Sequence, residues 1–236
     1  MSKRRSDHGT FRASERDLYL LRWVGDQFAV NTDQLKILMN RWKRIHEPDW
    51  RGESLSDETV KYLIKRWRRA GWVKSRTILA RKPAWVWLSD DGITEMGLKY
   101  PTYEPAVGSL THICLVNMVR LYLEERLGGE VQWISERQIN PERKKQKKRH
   151  VVDSEAIYQD TVVAIEVEQT AKNKHRMASI VRELQQDYEA VWYFVSDKAM
   201  TVVRDEIAKL EGTDDQDEWE TFVLYLLSDA ASQTDC

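Results

Sequence analysis

Cysteine is nearly absent: Cys114 and Cys236 are the only two in 236 residues. That count builds neither a disulfide framework nor a zinc set, and it suits a reducing cytoplasm. Apolar runs are short, none approaching the roughly 20 residues of a membrane span, so no membrane partner is expected. The first residues, MSKRRSDHGTFR, carry basic side chains with no apolar segment behind them, which is not the pattern of a secretory signal. The chain reads as soluble and cytoplasmic.

What is present is enough apolar surface for real cores, at 42% hydrophobic residues, and a length that suits two domains of about 100 to 200 residues each. The net charge of −1 hides an asymmetry. Residues 1–100 hold 21 Lys and Arg against 13 Asp and Glu, whereas residues 101–236 hold 16 against 25. A basic half joined to an acidic half points to nucleic-acid contact by the first, because phosphate binding is the usual use of clustered cations.

In the basic half, Ser14 begins a helix with Asp17 as its capping partner, and Leu18, Leu21 and Val24 form its buried stripe. Thr32 is placed to cap a second helix carrying Leu35, Leu38 and Met39, and Ser56 opens a third. There Val60, Leu63, Ile64 and Trp67 fall at i, i+3, i+4 and i+7, while Lys61, Lys65, Arg68 and Arg69 gather on an adjacent flank. Segments 72–79 and 84–88 then predict a β-hairpin with Arg81, Lys82 and Pro83 at its tip. Three helices followed by a basic-tipped hairpin is the order of a winged helix-turn-helix, in which the third helix enters the major groove of double-stranded DNA. Winged helices also serve as protein-interaction modules. The five positive charges of the Lys61–Arg69 segment favour DNA.

Residues 101–108 contain two prolines and a glycine and predict a linker. The second domain is expected over 109–228, with a frayed tail at 229–236. A long helix to about Leu127 comes first; His112, in its first turn, reads as a packing or capping residue with no second histidine placed to join it. The charge block PERKKQKKR at 141–149 reads as a solvated loop able to grip a DNA backbone. Strands are expected at 150–157 and 162–168, joined by a hairpin turn over 158–161. Alternation puts Val163, Ile165 and Val167 on one face and Ala164, Glu166 and Glu168 on the other, with Asp153 carried toward the same neighbourhood and Lys172 just beyond. A solvated sheet face would also place two glutamates this way. The second reading is a Mg²⁺ site, in which Asp153 and Glu166 ligate the metal, Glu168 completes the acid set or acts as base, and Lys172 faces a phosphate.

The order of elements in this half, α, β, β, β, α, β, then α, β, resembles the core of the PD-(D/E)XK nuclease-like superfamily, over about half the chain. The resemblance implies that Asp153 in VVDSEA stands for the superfamily's first acid and Glu166 in AIEVEQTAK for the second, with Glu168 at the position of its lysine and VVD in place of PD. The whole chain, with its winged-helix pattern, linker and IEVEQTAKNKHR segment, is similar to the replication-relaxation family of plasmids, phages and other mobile elements. That similarity implies a DNA-binding regulator or a replication or mobilisation accessory factor whose second domain serves assembly, with a homodimer as a possible form. The alternative it implies is a Mg²⁺-dependent DNA endonuclease or nickase using Asp153, Glu166, Glu168 and Lys172.

Overall fold

A computed structural model describes residues 12–139, 150–211 and 221–231. The basic block 141–149 lies outside them. The fold is mixed α/β and divides into two compact units, Met1–Val107 and Gly108–Cys236, the boundary falling inside the proline-containing segment.

In the first unit, α1 (Glu15–Asp26) begins with a reciprocal cap: Ser14 Oγ accepts the Asp17 N–H at 3.2 Å and Asp17 Oδ2 accepts the Ser14 N–H at 2.9 Å. Its buried apolar residues include Leu20, Leu21 and Val24, with Leu18 only half-buried. Helix α2 (Thr32–His46) is capped by Asn31 rather than by Thr32, because the Asn31 carboxamide accepts the Gln34 N–H at 2.9 Å. Helix α3 (Asp57–Arg69) is capped by Ser56 and buries Val60, Leu63, Ile64 and Trp67. Each such side chain stabilises the fold by about 1.5–3 kcal/mol relative to exposure, so this stripe fixes which face of α3 is turned inward.

Strands β1 (Val30–Asn31), β2 (Val73–Arg76) and β3 (Trp85–Leu88) form an antiparallel sheet in the order β1-β3-β2. The short helix α4 (Asp90–Glu95) follows directly, capped by Ser89 Oγ on the Gly92 N–H at 3.0 Å. Gly92 is dictated by space: a Cβ there would lie 1.9 Å from the Trp72 carbonyl oxygen.

The second unit is a five-stranded sheet in sequential order, β4 (Val131–Ser135), β5 (Ser154–Tyr158), β6 (Thr161–Glu168), β7 (Ala190–Val195) and β8 (Phe222–Leu226). The first three strands pair antiparallel, and β6, β7 and β8 run parallel. Gln159 and Asp160 take φ of 49° and 64° at the β5–β6 turn, the left-handed pair that a two-residue hairpin with matching twist requires.

Helices cover both faces. On one, Val163, Ile165, Val167, Trp192 and Phe194 pack with Leu115, Val116, Val119 and Leu123 of α5 (Leu110–Leu127) and with Leu227 and Ala230 of α8 (Leu227–Ala231). On the other, Ala164, Val191, Tyr193 and Val195 pack with Met177, Val181 and Leu184 of α6 (Lys174–Asp187) and with Ala199, Val203 and Ile207 of α7 (Asp197–Glu211). Burial on both faces is what parallel strands demand. One expectation is corrected. Residues 229–231 are helical within α8, because Leu227 and Ala230 have an apolar surface to pack on, whereas 232–236 lie outside the described residues.

Candidate functional site

Two sets of polar side chains stand out, one in each unit. In the first, α3 turns its apolar stripe inward, so helical geometry sends Lys61, Lys65, Arg68 and Arg69 outward, and all four are exposed. Lys61 Nζ meets Glu58 Oε1 at 2.7 Å, and that hydrogen bond and charge raise the ammonium pKa. The fifth cation of the segment, Arg66, is taken out of this surface by an ion pair with the buried Asp17. Beside the helix lies a cleft of about 560 Å³ whose lining includes Lys61, Lys65, Arg68, Ser75 and Thr77. It brings cations of α3 together with hydroxyls on and just after β2. Arg81 (φ 63°) is exposed and Lys82 half-buried in the connection between β2 and β3.

In the second unit, the acids singled out on β6 are not on a solvated face. Glu166 and Glu168 are only 3% and 4% exposed, because α6 and α7 cover the face that they share with Ala164. Asp153 stands just before β5 and is anchored on β6, its Oδ2 accepting the Val167 N–H at 2.7 Å. Burial, followed by the charges of Glu166, Glu168 and Asp153, pushes the Tyr193 hydroxyl pKa well above its ordinary value. Tyr193 is the register partner of Glu166 on β7.

Each acid has a basic partner. Glu168 is ion-paired with Lys172. His112 Nε2 lies 2.8 Å from Asp153 Oδ1, and His150 Nε2 lies 2.8 Å from Glu166 Oε1. The reading of His112 as a packing residue is therefore corrected: it is on the acid cluster, and a second histidine joins it. Sequence spacing hides this, since His112 and Asp153 are 41 residues apart. Only the proximity of His150 to VVD offered a signal.

Burial, followed by the charge of Asp153, pushes the Glu166 carboxyl up to about 7, against the opposing pull of His150 and Lys172. The hydrogen bond to Asp153 raises the His112 pKa. Burial lowers that of His150, but the hydrogen bond and charge of Glu166 outweigh it, so the net shift is upward.

Asp153 and Glu166 are the two carboxylates of the set whose charges act on each other. Burial first, and the charge of Asp153 second, drive Glu166 to hold a proton near neutral pH, and positive charge placed beside both carboxylates would relieve this. Mg²⁺ commonly takes one or two protein carboxylates and fills its remaining positions with water and phosphate oxygens. Asp153 and Glu166 would be the protein donors here, and among the described residues no group of three or more His, Cys, Asp or Glu side chains is placed to hold a metal ion. No helix of the described residues is long and apolar enough to cross a membrane. Set beside family models, curated proteins and solved structures, the chain matches none of them.

Proposed function

We propose that the first unit is a winged-helix domain that binds double-stranded DNA, and that the protein acts as a regulator or as a replication or mobilisation accessory factor of a mobile element. One observation carries the reading: a helix anchored by Val60, Leu63, Ile64 and Trp67 presents Lys61, Lys65, Arg68 and Arg69 together to solvent. A phosphate backbone rewards that arrangement, because each neutralised phosphate releases counterions. The β2–β3 hairpin, with Arg81 and Lys82, stands as the wing. The setting in a plasmid or phage comes from the resemblance of the IEVEQTAKNKHR segment, and in this reading the second unit serves assembly. Titrating a labelled duplex with the full chain tests the proposal. Binding that weakens steeply with added salt supports it, and no binding at low salt overturns it.

A second reading is favoured by the charge of Asp153 acting on the buried Glu166, two residues before Glu168 on β6: a PD-(D/E)XK-like domain that cleaves DNA. Asp153 and Glu166 would hold Mg²⁺, which when bound supplies neutralising charge to a scissile phosphate. Glu168 stands as the base that takes a proton from the attacking water, and Lys172, its ion-pair partner, faces the phosphate. His112 and His150 orient the two ligating carboxylates through their hydrogen bonds. Purified protein should then nick plasmid DNA with Mg²⁺ or Mn²⁺ and lose that activity on Asp153→Ala. Absence of cleavage sinks this second reading and leaves the first intact.

A further inference from the structure

Four large apolar side chains of α3 are buried; a fifth, Tyr62, is 70% exposed. Residues three, four and seven positions away share a helical surface, so Tyr62 stands among Glu58, Lys65, Arg66 and Arg69. Of these, Arg66 is turned to Asp17, while Glu58, Lys65 and Arg69 are exposed. Tyr62 therefore puts an aromatic ring and a hydroxyl in the middle of a cationic surface. Lysine and arginine on phosphates give affinity and register but carry no sequence information, which comes from base edges. In the major groove the feature that an apolar ring can recognise is the thymine C5-methyl.

The geometry points to Tyr62 as a specificity-determining residue, its ring packing on a thymine methyl in the major groove. The inference rests on the DNA-binding reading of the first unit and extends it from affinity to sequence preference. Glu58 and Lys61 are already paired with each other at 2.7 Å, which leaves the Tyr62 ring as the apolar feature that α3 presents at this surface.

The experiment uses the full chain. A preferred duplex is first enriched from a random-sequence pool with the wild-type protein, and each thymine of the selected site is then replaced in turn by deoxyuridine, which removes only the methyl. Losing contact with one methyl corresponds to about a fourfold weakening. The wild type should show that loss at one or two positions, Tyr62→Phe should show it equally, and Tyr62→Ala should show none while keeping its salt dependence on unselected DNA. Tyr62 is exposed, so neither variant disturbs the core, and circular dichroism checks this. If Tyr62→Ala responds to deoxyuridine as the wild type does, or the pool yields no preferred site, the role of Tyr62 is refuted while DNA binding stands. If the wild type binds no duplex at all, both fall.

Discussion

His150 holds Glu166 through a 2.8 Å contact between Nε2 and Oε1 at the end of β6, where the carboxylate is almost completely buried. An acid in that position is costly to ionise, and the imidazole is its nearest compensation. The pairing ties the stability of the second unit to pH.

The direction of that dependence follows from the shifts. Glu166 titrates near 7 in the folded chain, above its ordinary value of 4.5, so the folded protein retains a proton that the unfolded chain releases. Stability therefore falls as pH rises from about 4.5 to 7. His112 and His150, both raised above 6.5, contribute stability that is full below 6.5 and lost as pH climbs through their folded values. The slopes have the same sign. The melting temperature of the second unit should be higher at pH 5.5 than at pH 8 by at least about 3 °C, given roughly 2–4 °C per kcal/mol for a chain of this size. Glu166→Gln should flatten the difference. A melting temperature that rises with pH over this range would contradict the assignment.

Asp17 joins α1 to α3 in the first unit. Its Oδ1 accepts the Trp67 indole N–H at 2.8 Å and pairs with Arg66, while Oδ2 caps the helix through Ser14. Burial pushes its carboxyl pKa up, but the bonds from Ser14 and Trp67 and the charge of Arg66 more than offset this, so the net shift is downward. The stabilisation is present above the ordinary aspartate range and disappears as pH falls through the lower folded value. Asp17→Ala leaves buried donors unpaired and removes the cap, which should cost about 2–4 kcal/mol in urea unfolding. A loss below about 0.5 kcal/mol would show that α3 is held by its apolar stripe alone.

Gly92→Ala tests the close approach of α4 to Trp72. The added Cβ meets a backbone carbonyl oxygen at 1.9 Å rather than a flexible side chain, so the chain must shift. Destabilisation of about 1–3 kcal/mol is expected, read as a lower midpoint in chemical denaturation, and an unchanged midpoint would refute it.

Local signals in the sequence were informative because they rest on local physics. The Ser14–Asp17 and Ser56 caps, the stripe of α3 and the turn at Gln159–Asp160 each follow from residues within a few positions of one another. Boundaries moved where neighbours decided them. The strand expected from 150 begins at Ser154 because Asp153 uses its side chain to anchor on Val167. Strand β1 was missed altogether: two residues have no periodicity, and Val30–Asn31 is defined only by pairing with β3. Alternation and spacing single out Asp153, Glu166, Glu168 and Lys172, but they give neither the burial of the two glutamates nor the histidines beside Asp153 and Glu166. Covering helices and a partner 41 residues away leave no trace in an alternating pattern.

The salt dependence of duplex binding tests the central claim most directly. Log affinity against log salt concentration should fall linearly for the wild type, and Lys65→Ala with Arg68→Ala should bind more weakly at low salt with a slope shallower by about 1.8, since each phosphate contact contributes roughly 0.9. A double variant with wild-type affinity and wild-type slope would show that the exposed face of α3 does not touch DNA.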